Sequence, residues 1–342
     1  MPMKTKPSGN QQSKRRDGPL RPPAHRSEAR PDGRPAGAHR GAPLRGDAIT
    51  IKEALREGIV YLRTSSPSFG VDAEILLAEA IKKPREFLIA HNEEKLTYTQ
   101  AAKYRHWLMQ RIKGVPIPYL TGSQFFYGRK FIVNKSVLIP RPETEALVEE
   151  CVRIVNASST PTSYKLQTTS CIADIGTGSG VIAVSLALEI PKAKIIATDK
   201  SGTALKVAAR NARKYRVAKR VTFFASDLLN EIPTELSPNI IVANLPYVTS
   251  DELRNAHIKS DTIGLTFEPQ GALEGGPDGL AVFRRFFAQI SRFEQTKKSL
   301  QYLLLEHNPK QRRALWELAH EFIPEFKPQE VTPFVSEWNK TS

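Results

Sequence analysis

Short apolar runs alternate with amphipathic helical patterns from residue 171 to residue 322. Strands are predicted at Cys171–Asp174, Lys194–Thr198, Arg220–Ala225, Asn239–Ala243 and Gln301–Glu306, and helices at Val181–Glu189, Ala204–Tyr215, Gly279–Phe293 and Lys310–Phe322. Such alternation implies right-handed crossovers and a mostly parallel, doubly wound sheet in an α/β fold. Ligands of such sheets bind beyond the carboxyl ends of the strands, so we look for function in the residues that follow each strand.

A smaller helical unit is predicted before this alternation. Apolar residues recur at three- and four-residue spacing from Ile51 to Leu62, and similar patterns predict helices at Val71–Ala80 and Tyr98–Ile112. Two β-type runs, Gln124–Tyr127 and Lys130–Val133, then predict a hairpin. We therefore divide the chain into a basic tail (1–47), a helical domain (48–118), a hairpin linker (119–140) and an α/β domain (141–342).

Positive charge is concentrated at the N-terminus. Residues 1–46 carry eleven lysines and arginines against three acidic residues, a net charge of +8, and the other 296 residues carry +7. The tail is rich in Pro and Gly and cannot bury enough apolar surface to offset its chain entropy, so we expect it to be disordered. Three alternatives stay open for it: a solvated extension, a weak contact to rRNA or another nucleic acid, or a mitochondrial presequence, whose amphipathic helix the prolines oppose.

Composition excludes several classes of protein. The 342 residues are 40% hydrophobic, enough for a sizeable core, but no run approaches the ~18 apolar residues of a membrane span. Only two cysteines occur, so we expect neither a disulfide framework nor a metal site. A cytoplasmic, monomeric protein without a membrane partner is the expectation, with the mitochondrial matrix as the alternative location.

A glycine-rich loop follows the first strand of the alternating region. It reads Asp174-Ile175-Gly176-Thr177-Gly178-Ser179-Gly180 and opens a helix, whose unpaired N–H groups can hold a carboxylate. The dinucleotide fingerprint would need Gly or Ala at Val181, and the P-loop lysine is missing. Asp199 ends the second strand, where a carboxylate can accept from ribose hydroxyls, and Asp227 follows the third, where it can accept from an exocyclic amino group. These features resemble the S-adenosylmethionine site of class I methyltransferases.

The fourth strand ends in Asn244-Leu245-Pro246-Tyr247. Asn244 offers a side-chain carbonyl, and Leu245 offers a backbone carbonyl that Pro246 restricts to an extended conformation. Two neighbouring acceptors suit a planar –NH₂ group, against which the ring of Tyr247 can rest. An amide nitrogen is a poor nucleophile, so positioning and electrostatic complementarity would be the main catalytic contributions. The motif itself shows no general base.

The tetrapeptide is similar to the Asn-Pro-Pro-Tyr of methyltransferases that act on glutamine amides or adenine bases. Further stretches resemble the peptide chain release factor glutamine methyltransferases, the PrmC/HemK family, over about residues 49–320. They are Ser66-Pro67, Val71-Asp72-Ala73-Glu74, Pro118-Tyr119-Leu120-Thr121-Gly122, Leu138-Ile139-Pro140-Arg141-Pro142-Glu143-Thr144-Glu145, Phe267-Glu268-Pro269 and Ala272-Leu273-Glu274-Gly275-Gly276-Pro277-Asp278-Gly279-Leu280.

The resemblance implies an S-adenosylmethionine-dependent enzyme that methylates N5 of the glutamine in the Gly-Gly-Gln loop of a release factor, supporting translation termination and leaving S-adenosylhomocysteine. It also implies that the helical domain recognises the release factor. The residues that it assigns to the cofactor are Gly176, Thr177, Gly178, Ser179, Gly180, Asp199, Asp227, Leu228 and Asn244. Those that it assigns to catalysis and to the glutamine are Asn244, Leu245, Pro246 and Tyr247, with Arg141, Glu143 and Thr144 at the border of the pocket.

Three positions depart from the family pattern. Leu245 replaces the first proline, and Asn308 replaces a glycine after the fifth strand. Residues 328–342 are poor in strand pattern, which leaves open whether the sheet has its final strand. Other functions also stay open: glutamine methylation of a ribosomal protein, adenine-N6 methylation of DNA or RNA, and a silent binding protein for ribosomes or RNA. Adenine-N6 methylation would need a base-flipping pocket. Intact Asp174 and Asn244 argue against a catalytically silent binding protein.

Overall fold

The computed structural model describes residues 48–157, 170–256 and 263–341, so the basic tail predicted at 1–47 lies outside the described residues. Five helices form the N-terminal part: α1 (Ile51–Leu62), α2 (Phe69–Ile81), α3 (Arg85–Ala90), α4 (Tyr98–Ile112) and α5 (Ile117–Thr121). Capping boxes start α1 at Thr50 and α4 at Thr97, where each threonine exchanges hydrogen bonds with the residue three positions on. Apolar faces of the helices meet in one core that contains Leu62, Leu76 and Tyr104.

A hairpin and one long helix connect this bundle to the main sheet. The antiparallel strands β1 (Ser123–Phe126) and β2 (Arg129–Ile132) confirm the predicted hairpin, one residue earlier in sequence. Tyr127 and Gly128 both have positive φ, the backbone that a two-residue turn between twisted strands requires. After an extended segment, a single 3₁₀ turn at Pro142–Thr144 leads directly into α6 (Glu145–Ala157).

The main sheet has seven strands in the order β5-β4-β3-β6-β7-β9-β8. These strands are β3 (Cys171–Ile175), β4 (Lys194–Asp199), β5 (Val221–Ala225), β6 (Ile240–Ala243), β7 (Tyr302–Glu306), β8 (Phe326–Thr332) and β9 (Val335–Lys340). The helices between them are α7 (Val181–Glu189), α8 (Gly202–Lys214), α9 (Ser250–Asn255), α10 (Ala281–Arg292), α11 (Glu294–Ser299) and α12 (Arg312–Phe322). The first five strands are parallel and two apolar cores cover the sheet, which confirms the predicted class I methyltransferase-like α/β fold.

The final strand of the sheet, whose presence the sequence left open, is present. β9 pairs antiparallel with both β7 and β8 and therefore lies inside the sheet. Its buried positions include Ser336 and Glu337, and the Ser336 hydroxyl accepts a hydrogen bond from the Trp316 indole at 3.0 Å. The polar edge strand β8 carries Pro328, which an edge tolerates. Buried polar residues hid β9 from a hydrophobicity pattern, and exposed polar residues at the sheet edge hid β8.

No helix in the described part of the chain has the length and apolar character needed to cross a membrane.

Candidate active site

Two adjoining cavities open at the carboxyl ends of β3 and β6, where the strand order reverses and ligands of doubly wound sheets bind. The larger is an open cleft with about 860 Å³ of empty volume, and the smaller has about 370 Å³. Asn244, Leu245 and Pro246 line both. The end of β6 is therefore a wall shared by two compartments, which is the arrangement needed to bring two ligands together.

The glycine loop supplies one side of the larger cleft. Gly176 and Gly178 line it, whereas Thr177 and Ser179 are buried behind the loop. Gly180 has φ +79°, and a Cβ built there would lie 2.9 Å from the Cβ of Ala208 on α8. Two features therefore require glycine at this position: the backbone conformation and the close packing of α7 on α8. The structure divides the predicted loop residues into two that face the cleft and three that support it.

Asp174 holds the loop from below. Its Oδ2 accepts from the Thr177 hydroxyl at 2.6 Å and from the Ala183 backbone N–H at 3.1 Å, so it ties the loop to the first turn of α7. Burial raises the pKa of Asp174 to about 7; the two hydrogen bonds oppose this rise and the nearby charge of Asp199 adds to it.

Asp199 and Asp227 both line the larger cleft, as the strand-end positions predicted. Asp199 accepts backbone N–H groups of Gly178 (2.9 Å) and Ser201 (2.8 Å) on different oxygens, each of which keeps a lone pair for a ligand hydroxyl. Burial raises the pKa of Asp199, and the same two hydrogen bonds oppose the rise. Asp227 is half-exposed, and its Oδ2 accepts from Arg285 of α10 at 2.9 Å.

Leu228, beside Asp227, is a non-glycine residue at φ +61°, a strained conformation that L-residues rarely adopt. Gln289 of α10 fixes this turn, because its side chain accepts from the Leu229 N–H at 2.9 Å and donates to the Asp227 carbonyl at 3.3 Å. The side chains of Leu228 and Val282 add apolar surface to the cleft. Sequence analysis missed Gln289 and Arg285 because both lie on a helix about sixty residues further along the chain.

The Asn244 side chain is oriented by a hydrogen bond. Its Nδ2 donates to the hydroxyl of Thr144 at 3.0 Å, across 100 positions of sequence. The donor end of the amide is thus engaged, and the carbonyl Oδ1 remains available as an acceptor. Thr144 is buried, at 3% exposure, so its hydroxyl is a fixed partner. Of the three residues predicted to border the pocket, Arg141 lines the smaller cavity. Thr144 lines neither cavity and supports Asn244 from behind, and Glu143 is exposed.

The backbone of the tetrapeptide is clamped by the glycine-rich segment 273–279. Val248 accepts from the Gly275 N–H at 2.8 Å and donates to the Leu273 carbonyl at 2.9 Å. A Cβ at Gly279, which has φ +75°, would lie 2.4 Å from the Tyr247 carbonyl. That carbonyl also accepts from the Gln311 side chain at 3.0 Å. Residue 279 must therefore be glycine for the loop to close on Tyr247.

Leu245 occupies the position where the family pattern has proline. Its side chain is 2% exposed and belongs to the core on one face of the sheet. A Cβ at Gly176 would lie 3.5 Å from its Cδ2, so Leu245 packs over the glycine loop. The leucine is accommodated by burial, and its backbone still lines both cavities.

Glu306, at the end of β7, is a buried carboxyl that sequence analysis did not assign to the site. Its Oε1 accepts from the Tyr247 hydroxyl at 3.0 Å, and its Oε2 has no hydrogen-bond partner among the described residues. Burial raises the pKa of Glu306, while the Thr144 and Tyr247 hydroxyls act in the opposite direction. Glu306 lines neither cavity, so it supports Tyr247 and does not itself contact a ligand. The rule that drew attention to Asp199, a carboxylate at a strand end, would also have found Glu306.

Glu268 holds the segment before α6 in place. It accepts from the Ile139 backbone N–H at 2.9 Å and from the Arg141 guanidinium, and it is 8% exposed. The Phe267-Glu268-Pro269 stretch thus fixes the strap that carries Arg141 and Thr144.

The lining of the larger cleft is suited to a nucleoside with a polar tail. Two carboxylates can accept from hydroxyl and amino groups, and apolar side chains such as Leu228, Val282 and Pro246 can cover a planar base. No cluster of His, Cys, Asp and Glu that could hold a metal ion occurs within the described ranges.

Comparison with known proteins agrees with this geometry. A family model described as "Methyltransferase small domain" matches residues 161–262, and one described as "PrmC N-terminal domain" matches residues 53–122. The fold is that of a class I S-adenosylmethionine-dependent methyltransferase.

Curated relatives narrow the class to one family. A release factor glutamine methyltransferase of Koribacter versatilis is 36% identical over 71% of this chain and 81% of its own. Those of Burkholderia pseudomallei and Moorella thermoacetica are each 38% identical, over 68% and 69% of this chain and 78% of their own. This chain belongs to the release factor glutamine methyltransferase family.

Proposed function

We propose that this protein transfers a methyl group from S-adenosylmethionine to the side-chain amide nitrogen of the glutamine in the Gly-Gly-Gln loop of a peptide chain release factor. The observation that carries the proposal is that Asn244, Leu245 and Pro246 line both cavities. The larger cleft would hold the methyl donor and the smaller cavity the glutamine, with the acceptors of the tetrapeptide between them.

Residues of the larger cleft have separate roles in this proposal. Asp199 would accept from the ribose hydroxyls, Asp227 from the adenine amino group, and Leu228 would pack against the base. Gly176 and Gly178 let the ligand approach the backbone closely, while Thr177, Ser179 and Gly180 keep the loop in shape. When bound, S-adenosylmethionine supplies an electrophilic methyl group.

Residues of the smaller cavity prepare the amide nitrogen. Oδ1 of Asn244 and the carbonyl of Leu245 accept its two hydrogens, which returns electron density to the nitrogen and fixes its direction. The ring of Tyr247 supports the amide plane and is itself held by Glu306. One proton leaves the nitrogen after transfer, when the methylated amide is far more acidic, so the site works without a general base in contact with the substrate.

The rest of the chain completes the proposal. The helical domain would recognise the body of the release factor, and the enzyme would act as a monomer. This function would place it where translation terminates, in the cytoplasm or the mitochondrial matrix.

A labelling assay tests the proposal. The full chain is incubated with methyl-labelled S-adenosylmethionine and either recombinant release factor, the same factor with its Gly-Gly-Gln glutamine replaced by alanine, a ribosomal protein extract, or nucleic acid. We expect label on the unmodified release factor alone. Label on nucleic acid, on a ribosomal protein or on the substituted factor would contradict the proposal.

A further inference from the structure

A strongly basic segment separates the two acidic residues of the larger cleft. Between Asp199 and Asp227 the sequence contains eight lysines and arginines and no acidic residue. They are Lys200, Lys206, Arg210, Arg213, Lys214, Arg216, Lys219 and Arg220. The segment comprises α8 and the turn that leads to β5, an edge strand of the sheet.

Three of these cations form a stripe along α8. Lys206, Arg210 and Arg213 are all exposed and follow one another at four- and three-residue spacing, which places them on one helix face. At the helical rise the stripe is about 10 Å long, a distance over which duplex nucleic acid presents roughly six phosphate charges. The opposite face of α8, with Ala204, Val207 and Ala208, is buried.

The side chains of the stripe lack acidic partners, whereas most arginines in the rest of the described chain have one. None of its three side chains has a carboxylate within 4.0 Å among the described residues. Arginines in the other helices are commonly paired with a carboxylate, as in Arg85–Glu74, Arg105–Glu57 and Arg312–Glu330. Like charges at this spacing destabilise a helix. The helix dipole favours Arg213 in the last turn, but it does not explain Lys206 or Arg210. The fold alone therefore gives no reason for the stripe.

The surroundings of the stripe distinguish between partners. A protein interface needs apolar or aromatic side chains at its centre. No large apolar side chain is exposed between residues 200 and 220, and the exposed ones in the described chain, such as Ile89, Tyr98 and Phe125, lie on other elements. A phosphate backbone needs only exposed cations at a suitable repeat. We propose that the face of α8 formed by Lys206, Arg210 and Arg213 binds the phosphate backbone of a nucleic acid.

Anisotropy titrations with labelled hairpins test this site in the full chain. RNA and DNA hairpins of one sequence are titrated between about 50 and about 200 mM salt, and the tighter of the two identifies the nucleic acid. We expect the triple variant K206Q/R210Q/R213Q to reduce the slope of log K against log salt by about 3, about one for each lost phosphate contact. Its affinity should fall about tenfold or more at low salt.

A charge-matched control distinguishes the effect of the stripe residues from the effect of a lower net charge. R292Q/K298Q/R313Q removes the same three charges from exposed positions on α10, α11 and α12, and it should bind like the wild type. An equal loss of affinity for the hairpin in the two triple variants would overturn the proposal. So would the finding that polyglutamate displaces the labelled hairpin as effectively as unlabelled RNA of equal charge. The basic tail is present in every variant, so its contribution to hairpin binding cancels when the variants are compared.

This inference stands independently of the proposed function. None of the three stripe residues lines either cavity, so the stripe variant should methylate isolated substrate at the wild-type rate. It should also be as stable as the wild type or slightly more so, because like-charge repulsion is relieved.

Discussion

The hydroxyl of Tyr247 donates a 3.0 Å hydrogen bond to Glu306, a carboxyl that is only 1% exposed. Glu306 ends β7, and Tyr247 lies in the loop that follows the neighbouring parallel strand β6. The bond therefore ties Tyr247, which lines the smaller cavity, to the sheet. Burial of a carboxyl costs free energy unless it is fully paired, and the second oxygen of Glu306 has no hydrogen-bond partner in the described chain. The Glu306 carboxyl is therefore expected to destabilise the fold while it holds Tyr247 in place.

Glu306→Leu is predicted to lower activity and Glu306→Gln to preserve most of it. Leucine removes the acceptor and leaves the Tyr247 hydroxyl unpaired, a loss of about 1–2 kcal/mol that corresponds to about five- to thirtyfold in kcat. Glutamine retains an acceptor oxygen. Steady-state kinetics with the release factor would measure both, and equal losses in the two variants would contradict the positioning role.

The double variant Y247F/E306L separates positioning from general damage. If Glu306 acts only through Tyr247, the double variant should be no less active than the worse single variant. Its free energy of unfolding should exceed that of E306L, because the buried tyrosine hydroxyl that E306L leaves unpaired is absent. Additive losses in kcat would show that Glu306 acts by another route.

Thr144→Val should reduce kcat about three- to tenfold, because valine keeps the shape but removes the acceptor that orients the Asn244 amide. Thr144→Ser keeps the hydroxyl and is the matched control, expected to remain close to wild type. Turnover at saturating release factor is the measurement. If the serine variant lost as much turnover as the valine variant, Thr144 would contribute through its packing and not by orienting the Asn244 amide.

Asn244→Ala is expected to lose about a hundredfold in kcat while the Kd for S-adenosylmethionine changes little. The side chain supplies one of the two amide acceptors, whereas the cofactor is proposed to depend on the glycine loop and the two aspartates. Calorimetric titration of the cofactor beside the turnover assay checks this. Lost cofactor binding with turnover retained at saturation would refute the assignment.

Gly180→Ala should destabilise the protein by about 1–3 kcal/mol and weaken cofactor binding, because alanine must adopt a positive φ and meets Ala208. Gly202→Ala is the control: it lies at the start of α8 with negative φ and no atom within 4 Å of a new Cβ, so it should be neutral or slightly stabilising. Urea unfolding and cofactor titration distinguish the two, and a fully stable G180A would contradict the packing described here.

Stability should fall as the pH rises from about 4 to about 7. The pKa of Asp174 is raised from its ordinary value to about 7, so the folded state holds a proton that the unfolded state has lost across this window. A single group changes the free energy of unfolding by up to about 1.4 kcal/mol per pH unit there. Asp174→Asn should remove this part of the slope. Glu337, whose pKa burial and the neighbouring Glu150 also raise to about 7, contributes in the same direction, so E337Q belongs in the same urea series.

Local patterns were enough to predict the parallel sheet and one wall of the site. Alternation of strands and helices fixes which residues reach the carboxyl edge, so Asp199, Asp227 and Asn244 could be placed there from spacing alone. The predicted helices Tyr98–Ile112 and Val181–Glu189 were correct at both ends. Other boundaries shifted by at most two residues, as at α12, where the 3₁₀ turn Pro309–Gln311 precedes the helix.

Features that depend on distant contacts could not be read from the sequence. Asn244 meets Thr144 across 100 positions and Tyr247 meets Glu306 across 59, so neither orientation is visible in a local pattern. The same reason applies to β9, whose buried Ser336 appears polar in sequence and is satisfied only by His307 and Trp316 from other elements.

The position of β9 also sets an order of events during folding. β9 follows β7 and β8 in the chain but lies between them in the sheet, and its Val335 pairs with Glu306. The parallel strands β3 to β7 can associate before residues 335–340 arrive, yet one side of β7 stays open to water until they do. Refolding should therefore restore the parallel core first and enzymatic turnover afterwards.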